Sequence, residues 1–71
     1  MLYTFVTQPD NQCLVGPIPP ASGPYLFTNL DGVTVGKYLL FATQTVNLYY
    51  LLPFAGVAPL KDGEYSLEPV L

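Results

Sequence analysis

The sequence contains no histidine, no arginine and no tryptophan, and its one cysteine is Cys13. Each absence removes a class of function. Without His, neither Cys13 nor Ser22 nor Ser66 has the usual base that activates a nucleophile. One Cys and no His cannot build a structural zinc site. A single Cys also rules out an intrachain disulfide. The only basic side chains are Lys37 and Lys61. Phosphate backbones are bound by arrays of Lys and Arg, so two lysines cannot form a nucleic-acid groove. The remaining charges are Asp10, Asp31, Asp62, Glu64 and Glu68, for a net charge of −3. With 10% charged residues, the chain is also not a disordered acidic tail.

What is present is apolar surface: 51% of the 71 residues are hydrophobic, including six tyrosines and four phenylalanines. Residues 1–71 read as one small domain. A domain of this size buries only about 60% of the surface its unfolded chain exposes. Ordering each residue costs roughly 1.5 kcal/mol, so the core is marginal. With disulfide and zinc excluded, the stabilising device expected by elimination is a protein partner or a homo-oligomer. The segment Met1–Asp10 has no basic residue ahead of its apolar stretch and does not read as a secretory signal. A product made in the cytoplasm, with a reduced thiol, is the expectation.

Along the chain, β-formers alternate with turn signals. Met1–Thr7 reads as a strand. Gln8-Pro9-Asp10-Asn11 is a turn, because Pro presets φ and Asp and Asn cap their own backbone. Cys13-Leu14-Val15 is a short apolar run. Residues 16–24 hold Pro17, Pro19, Pro20 and Pro24 with Gly16 and Gly23, and read as an extended connector. Pro17 and Pro20 have PxxP spacing, but no basic residue accompanies them, so a structural loop is the better reading. Tyr25–Leu30 is a strand, and Asp31-Gly32 predicts a hairpin with a type I′ turn. Lys37–Ala42 and Val46–Leu52 are the next strands, with a bend at Thr43-Gln44-Thr45; one long bent strand is the alternative. Pro53–Pro59 is a loop. Asp62-Gly63 predicts another hairpin, followed by a strand over Glu64–Val70 that Pro69 ends or places at an edge.

Three segments share the pattern Gly-x-Tyr-x-apolar: Gly23–Phe27, Gly36–Leu40 and Gly63–Leu67. The spacing is too uneven for a solenoid. The pattern marks strand beginnings, with aromatic and apolar residues two apart on one face.

Tyr38–Leu60 is a run of 23 uncharged residues between Lys37 and Lys61, long enough to span a bilayer as a helix. Thr43, Gln44, Thr45 and Asn47 near its centre, and Pro53, Gly56 and Pro59 beyond, argue against a span. No second helix exists to satisfy those polar groups.

The carboxylates sit in or beside turns, where solvated capping accounts for them, and no loop has the carboxylate density of a calcium site. No catalytic residue, cofactor site or metal site emerges. The informative residues are aromatic. In a strand, Val46, Leu48, Tyr50 and Leu52 share one face, and Asn47, Tyr49 and Leu51 the other. Leu39 and Phe41 oppose Tyr38, Leu40 and Ala42. Both faces are apolar. Either a tight barrel of bent strands leaves Tyr rings partly exposed, or one face is an interface, where amphipathic Tyr is enriched. Tyr38, Tyr49, Tyr50 and Phe54 are the candidate interaction residues.

The expected fold is all-β: a small sandwich, open barrel or extended β clip of roughly four to six short strands. The expected function is non-enzymatic, as a structural or assembly subunit such as a minor virion protein that cements or decorates a capsid or joins a tail. It would dock on a larger protein or on itself, and not on nucleic acid. Two alternatives stand beside it. One is a small carbohydrate-binding or adhesin-like module using Tyr platforms with Asn29, Asp31 or Asn47. The other is a single-span subunit of a membrane complex.

Overall fold

A computed structural model describes residues 1–70 of the chain; Leu71 lies outside them. Six strands follow one another: β1 (Leu2–Gln8), β2 (Gln12–Gly16), β3 (Gly23–Asn29), β4 (Thr34–Ala42), β5 (Leu48–Pro53) and β6 (Gly63–Pro69). They close into a barrel in the order β1-β2-β5-β4-β3-β6, and every neighbouring pair is antiparallel. The chain is all-β with six strands, within the number expected, but the barrel is closed rather than the open barrel, sandwich or clip expected. Strands β3, β4 and β5 run as successive neighbours and β6 returns beside β3, which is a Greek key. Among the described residues, closure leaves no strand with an unpaired edge.

Side chains alternate across the barrel wall. Phe5, Cys13, Val15, Tyr25, Phe27, Tyr38, Leu40, Tyr49, Leu51 and Tyr65 point inward from the strands and are buried, and Leu60 joins them from a loop. Phe27 lies at the centre of the aromatic cluster. Its ring centroid is 5.0 Å from that of Phe5, 4.8 Å from Tyr38 and 5.8 Å from Tyr65. Such tilted and edge-on pairs add about 0.5–1.5 kcal/mol each beyond area burial.

Two loops cover the two mouths of the barrel, and buried tyrosines hold both. Residues 17–22 cross the mouth where β3 begins and β4 ends. The Tyr49 hydroxyl donates to the Pro20 carbonyl, Tyr25 donates to Ala21 at 2.7 Å, and the Ala42 N–H donates to Ser22 Oγ at 2.8 Å. Residues 54–62 cross the other mouth. Leu60 enters the core, the Tyr38 hydroxyl donates to Ala58 at 2.6 Å, and Tyr65 donates to Lys61 at 2.7 Å.

The Gly-x-Tyr pattern now has a physical account. Tyr25 and Tyr65 each donate to the carbonyl four residues upstream, across the glycine two residues upstream. This is the geometry of a tyrosine corner, in which a Tyr near the start of a strand ties down the loop that led into it. Tyr38, the third case, sits deeper in its strand and reaches Ala58 instead. Gly36 is needed for packing there, because a Cβ at that position would run into the Val57 side chain.

Three expectations are corrected. Asp62-Gly63 is not a hairpin turn. The segment before it, rich in proline, is a loop, and β6 pairs with β1 and β3. The Asp62 carboxylate instead accepts from the Thr7 N–H at 2.9 Å and the Thr7 hydroxyl at 2.7 Å, beyond the point where the β1–β6 ladder ends at Phe5 and Gly63. Asp31-Gly32 does mark a hairpin, but only Gly32 has positive φ (77°). The turn bond runs from Gly32 N–H to the Asn29 carbonyl, and Asn29 Oδ1 accepts from the Asp31 and Val33 N–H groups. This is a three-residue loop ending in a left-handed glycine, not a type I′ turn. The residue pair with φ > 0 at both positions is Asp10-Asn11, in the β1–β2 turn. Lastly, Gly16 ends β2 and Gly23-Pro24 begin β3, so the connector is shorter than residues 16–24.

Candidate functional site

The strands most apolar in sequence are neighbours in the barrel, and their second face looks outward. Across the β4–β5 ladder Phe41 stands opposite Tyr50 and Leu39 opposite Leu52. Across β2–β5, Leu14 stands opposite Leu48 and Gln12 opposite Tyr50. Val6 extends the row from β1, opposite Leu14. Tyr50 is therefore the centre, with Leu48 and Leu52 on its own strand and Phe41 directly beside it. Phe41 is 47% exposed, Tyr50 45%, Leu14 42% and Leu52 40%. Singly exposed apolar residues are ordinary, but a contiguous group is the kind of surface that marks a binding site.

The face carries almost no charge. Its one ion is Lys37 on β4, whose ammonium lies 4.4 Å from the centre of the Phe54 ring. Phe54 leaves β5 with its N–H donated to the Lys37 carbonyl at 3.1 Å, which sets the ring beneath the lysine. Along one side the face is bordered by Gln12, Thr43, Gln44 and Thr45, which line an open groove with Leu48 and Tyr50.

The opposite wall is different. In a six-strand ring β6 is three steps from β5 in either direction. Its outward residues are Glu64, Ser66 and Glu68. The exterior is thus divided: mostly apolar around β5, with Lys37 at the margin, and acidic on β6.

The four aromatic candidates separate into two pairs. Tyr50 and Phe54 are on the outside, at the centre and the margin of the face. Tyr38 and Tyr49 are 2% exposed and belong to the core, so no partner touches their rings while the barrel is closed. Burial raises the pKa of both hydroxyls above the ordinary tyrosine value, with Tyr65 adding to it at Tyr38 and Tyr25 at Tyr49. Sequence reasoning placed Leu39 and Phe41 on one strand face but did not include Phe41, Leu14 or Leu52 among the candidates. The alternation was visible; which face the barrel would enclose was not.

Other polar groups are spent on the fold. Asn47, at φ 66°, donates its side-chain amide to the Val15 carbonyl at 2.6 Å, and Asn29 holds its own hairpin. Cys13 is buried, and desolvation raises its pKa to about 11, so it is not a nucleophile at neutral pH. Among the described residues, no three of His, Cys, Asp or Glu gather where they could hold a metal ion. A cleft of about 250 Å³ opens beside residues 54–62, with Gln8, Asn11 and Gln12 over Tyr38, Leu51 and Leu60. It has no charged lining and is smaller than the roughly 300–1,000 Å³ of ordinary ligand sites. Among the described residues, no helix is long and apolar enough to cross a membrane. The stretch Tyr38–Leu60 forms most of β4, all of β5 and two loops.

No family model matches the chain, and searches of curated proteins and of solved structures return no match.

Proposed function

We propose that the chain is a non-catalytic assembly subunit that docks through the outer face of β2, β5 and β4. The observation that carries this reading is the cluster around Tyr50: contiguous apolar side chains, two-fifths to half exposed, on a rigid barrel wall. The closed barrel offers no strand edge, so docking runs through side chains, with an aromatic pair at the centre and amide and hydroxyl groups at the border. That is the anatomy of an interface, where Tyr and Phe are enriched at the core and charge is depleted. The setting we propose is a particle shell or tail, as a minor virion protein. A small chain without catalytic chemistry suits that use, and neighbouring capsid or tail genes would support it.

The test is binding of an apolar fluorescent dye to the folded chain at submicromolar concentration, compared with Tyr50→Ser and Phe41→Ser. Both positions face outward, so the variants should keep the wild-type circular dichroism and lose most of the dye signal. A folded wild type that binds no dye, or one that binds neutral glycans on an array, would overturn the reading.

A further inference from the structure

Resting on that docking-face reading, we propose that the occupant of the face is a second copy of this chain, in a two-fold contact centred on Tyr50.

Charge is the first argument. The chain carries −3, so two copies repel unless the contact keeps their acidic groups apart. Of the five carboxylates, Glu64 and Glu68 lie on β6, diametrically across the barrel from β5. Asp10, Asp31 and Asp62 lie in turns and loops at the ends of the strands rather than on the outer face of β5. A contact between two β5 walls puts both β6 strands on the outside of the pair, at the greatest separation the molecule allows. A partner selected by charge would instead be drawn to the acidic wall. The apolar face presents only Lys37, and its ammonium is set over the Phe54 ring at the margin.

Size is the second argument. Val6, Leu14, Phe41, Tyr50 and Leu52 on this face are each 40–47% exposed. A standard interface takes ~800 Å² from each partner, so the contact also uses the uncharged border of Gln12, Thr43 and Gln44.

Symmetry is the third. A two-fold contact requires one patch to complement itself. This face does so, because its one charge, Lys37, lies at the margin over the Phe54 ring and its largest rings, Tyr50 and Phe41, stand together at its centre. Two such walls pack as sheets do, about 10 Å apart, with the rings interdigitating.

The experiment is sedimentation velocity on the purified chain from about 1 to 100 μM, with Kd values converted by the usual relation. Three variants are run beside it: Tyr50→Lys, Phe41→Lys and Ser66→Lys. All add the same charge, but only the first two place it on the face. The wild type should dimerise in this range, Tyr50→Lys should weaken the dimer by about 30-fold or more, and Ser66→Lys should leave it unchanged. Phe41→Lys gives the same readout should Tyr50→Lys not fold. A dimer unaffected by both face variants overturns the proposal, as does a monomer across the whole range. Dye binding then separates the two readings. A monomer that binds dye through Tyr50 retains a docking face for another protein, whereas a monomer that binds none loses the docking face as well.

Discussion

Tyr65 donates its hydroxyl to the carbonyl of Lys61, four residues earlier, and so fixes the last turn of the loop that covers one mouth of the barrel. Tyr25 repeats the arrangement at the other mouth with Ala21. Phe at either position keeps the ring in the core and removes the bond to a carbonyl on an exposed residue, Lys61 or Ala21. Losing such a hydrogen bond costs about 0.5–1.5 kcal/mol net. Tyr65→Phe and Tyr25→Phe should each lower stability to urea by that amount. Hydrogen exchange should speed up selectively in 61–63 for the first and in 21–23 for the second. Equal stabilities for variants and wild type would show that the corners do not hold the loops.

Gly36 meets Val57, and nothing larger than glycine fits between them. Gly36→Ala must push Val57 and its loop off the barrel, and overpacking of this kind costs about 1–3 kcal/mol. The double change Gly36→Ala with Val57→Ala should recover part of the loss, because it removes the colliding methyl groups. Thermal melts of the two single variants and the double variant measure the coupling.

The local grammar of this fold was legible and its closure was not. Strand alternation around Tyr49 and Tyr50 told which residues share a face, because a pleated strand sends neighbours to opposite sides. It could not tell which side is inside, since Leu51 and Leu52 are equally apolar. That is decided by β1 and β6, distant in sequence, which complete the ring and enclose Tyr49 and Leu51. Asp62-Gly63 misled for a related reason. The dipeptide is a hairpin signal only when both flanking segments are strands that pair, and Asp62 is used by Thr7, 55 residues away. The Gly-x-Tyr pattern was visible, but its purpose depended on where the hydroxyl reached. For the candidate face, the aromatic at its centre was among the residues chosen from sequence. Phe41 and Leu14 were not, because their adjacency to Tyr50 is a matter of register between strands.

The Asp62 carboxylate accepts two hydrogen bonds from Thr7, and these hold its pKa below the ordinary carboxylate value of 3.8. A group whose folded pKa is lowered contributes stability that is present above the unfolded value and lost as pH falls through the folded one. Asp62→Ala should therefore be less stable than wild type at neutral pH. The difference should shrink as pH drops below the ordinary carboxylate range and vanish once the folded group is protonated. Urea denaturation of both proteins from about pH 7 to about pH 2 gives the curve. A difference independent of pH would assign the effect to the Thr7 hydroxyl and backbone alone.

At the alkaline end the sign reverses. In the folded chain burial raises the Cys13 thiol from its ordinary 9.0 to about 11, and raises the Tyr38, Tyr49 and Tyr65 hydroxyls above 10.0. These groups are neutral when protonated, so the folded state favours the proton. The stability they contribute is complete below the unfolded values and is lost as pH rises through them toward the folded ones. For Cys13 the gap from 9.0 to about 11 corresponds to on the order of 2–3 kcal/mol. The chain should therefore weaken steadily from about pH 9 to about pH 11. Cys13→Val should flatten the first part of that decline, leaving the part due to the tyrosines. The same burial predicts that a thiol reagent at neutral pH labels Cys13 only as fast as the barrel opens, so urea that unfolds the chain should accelerate labelling sharply. Rapid labelling of the native protein would contradict the enclosed position of Cys13 and, with it, the closure between β2 and β5.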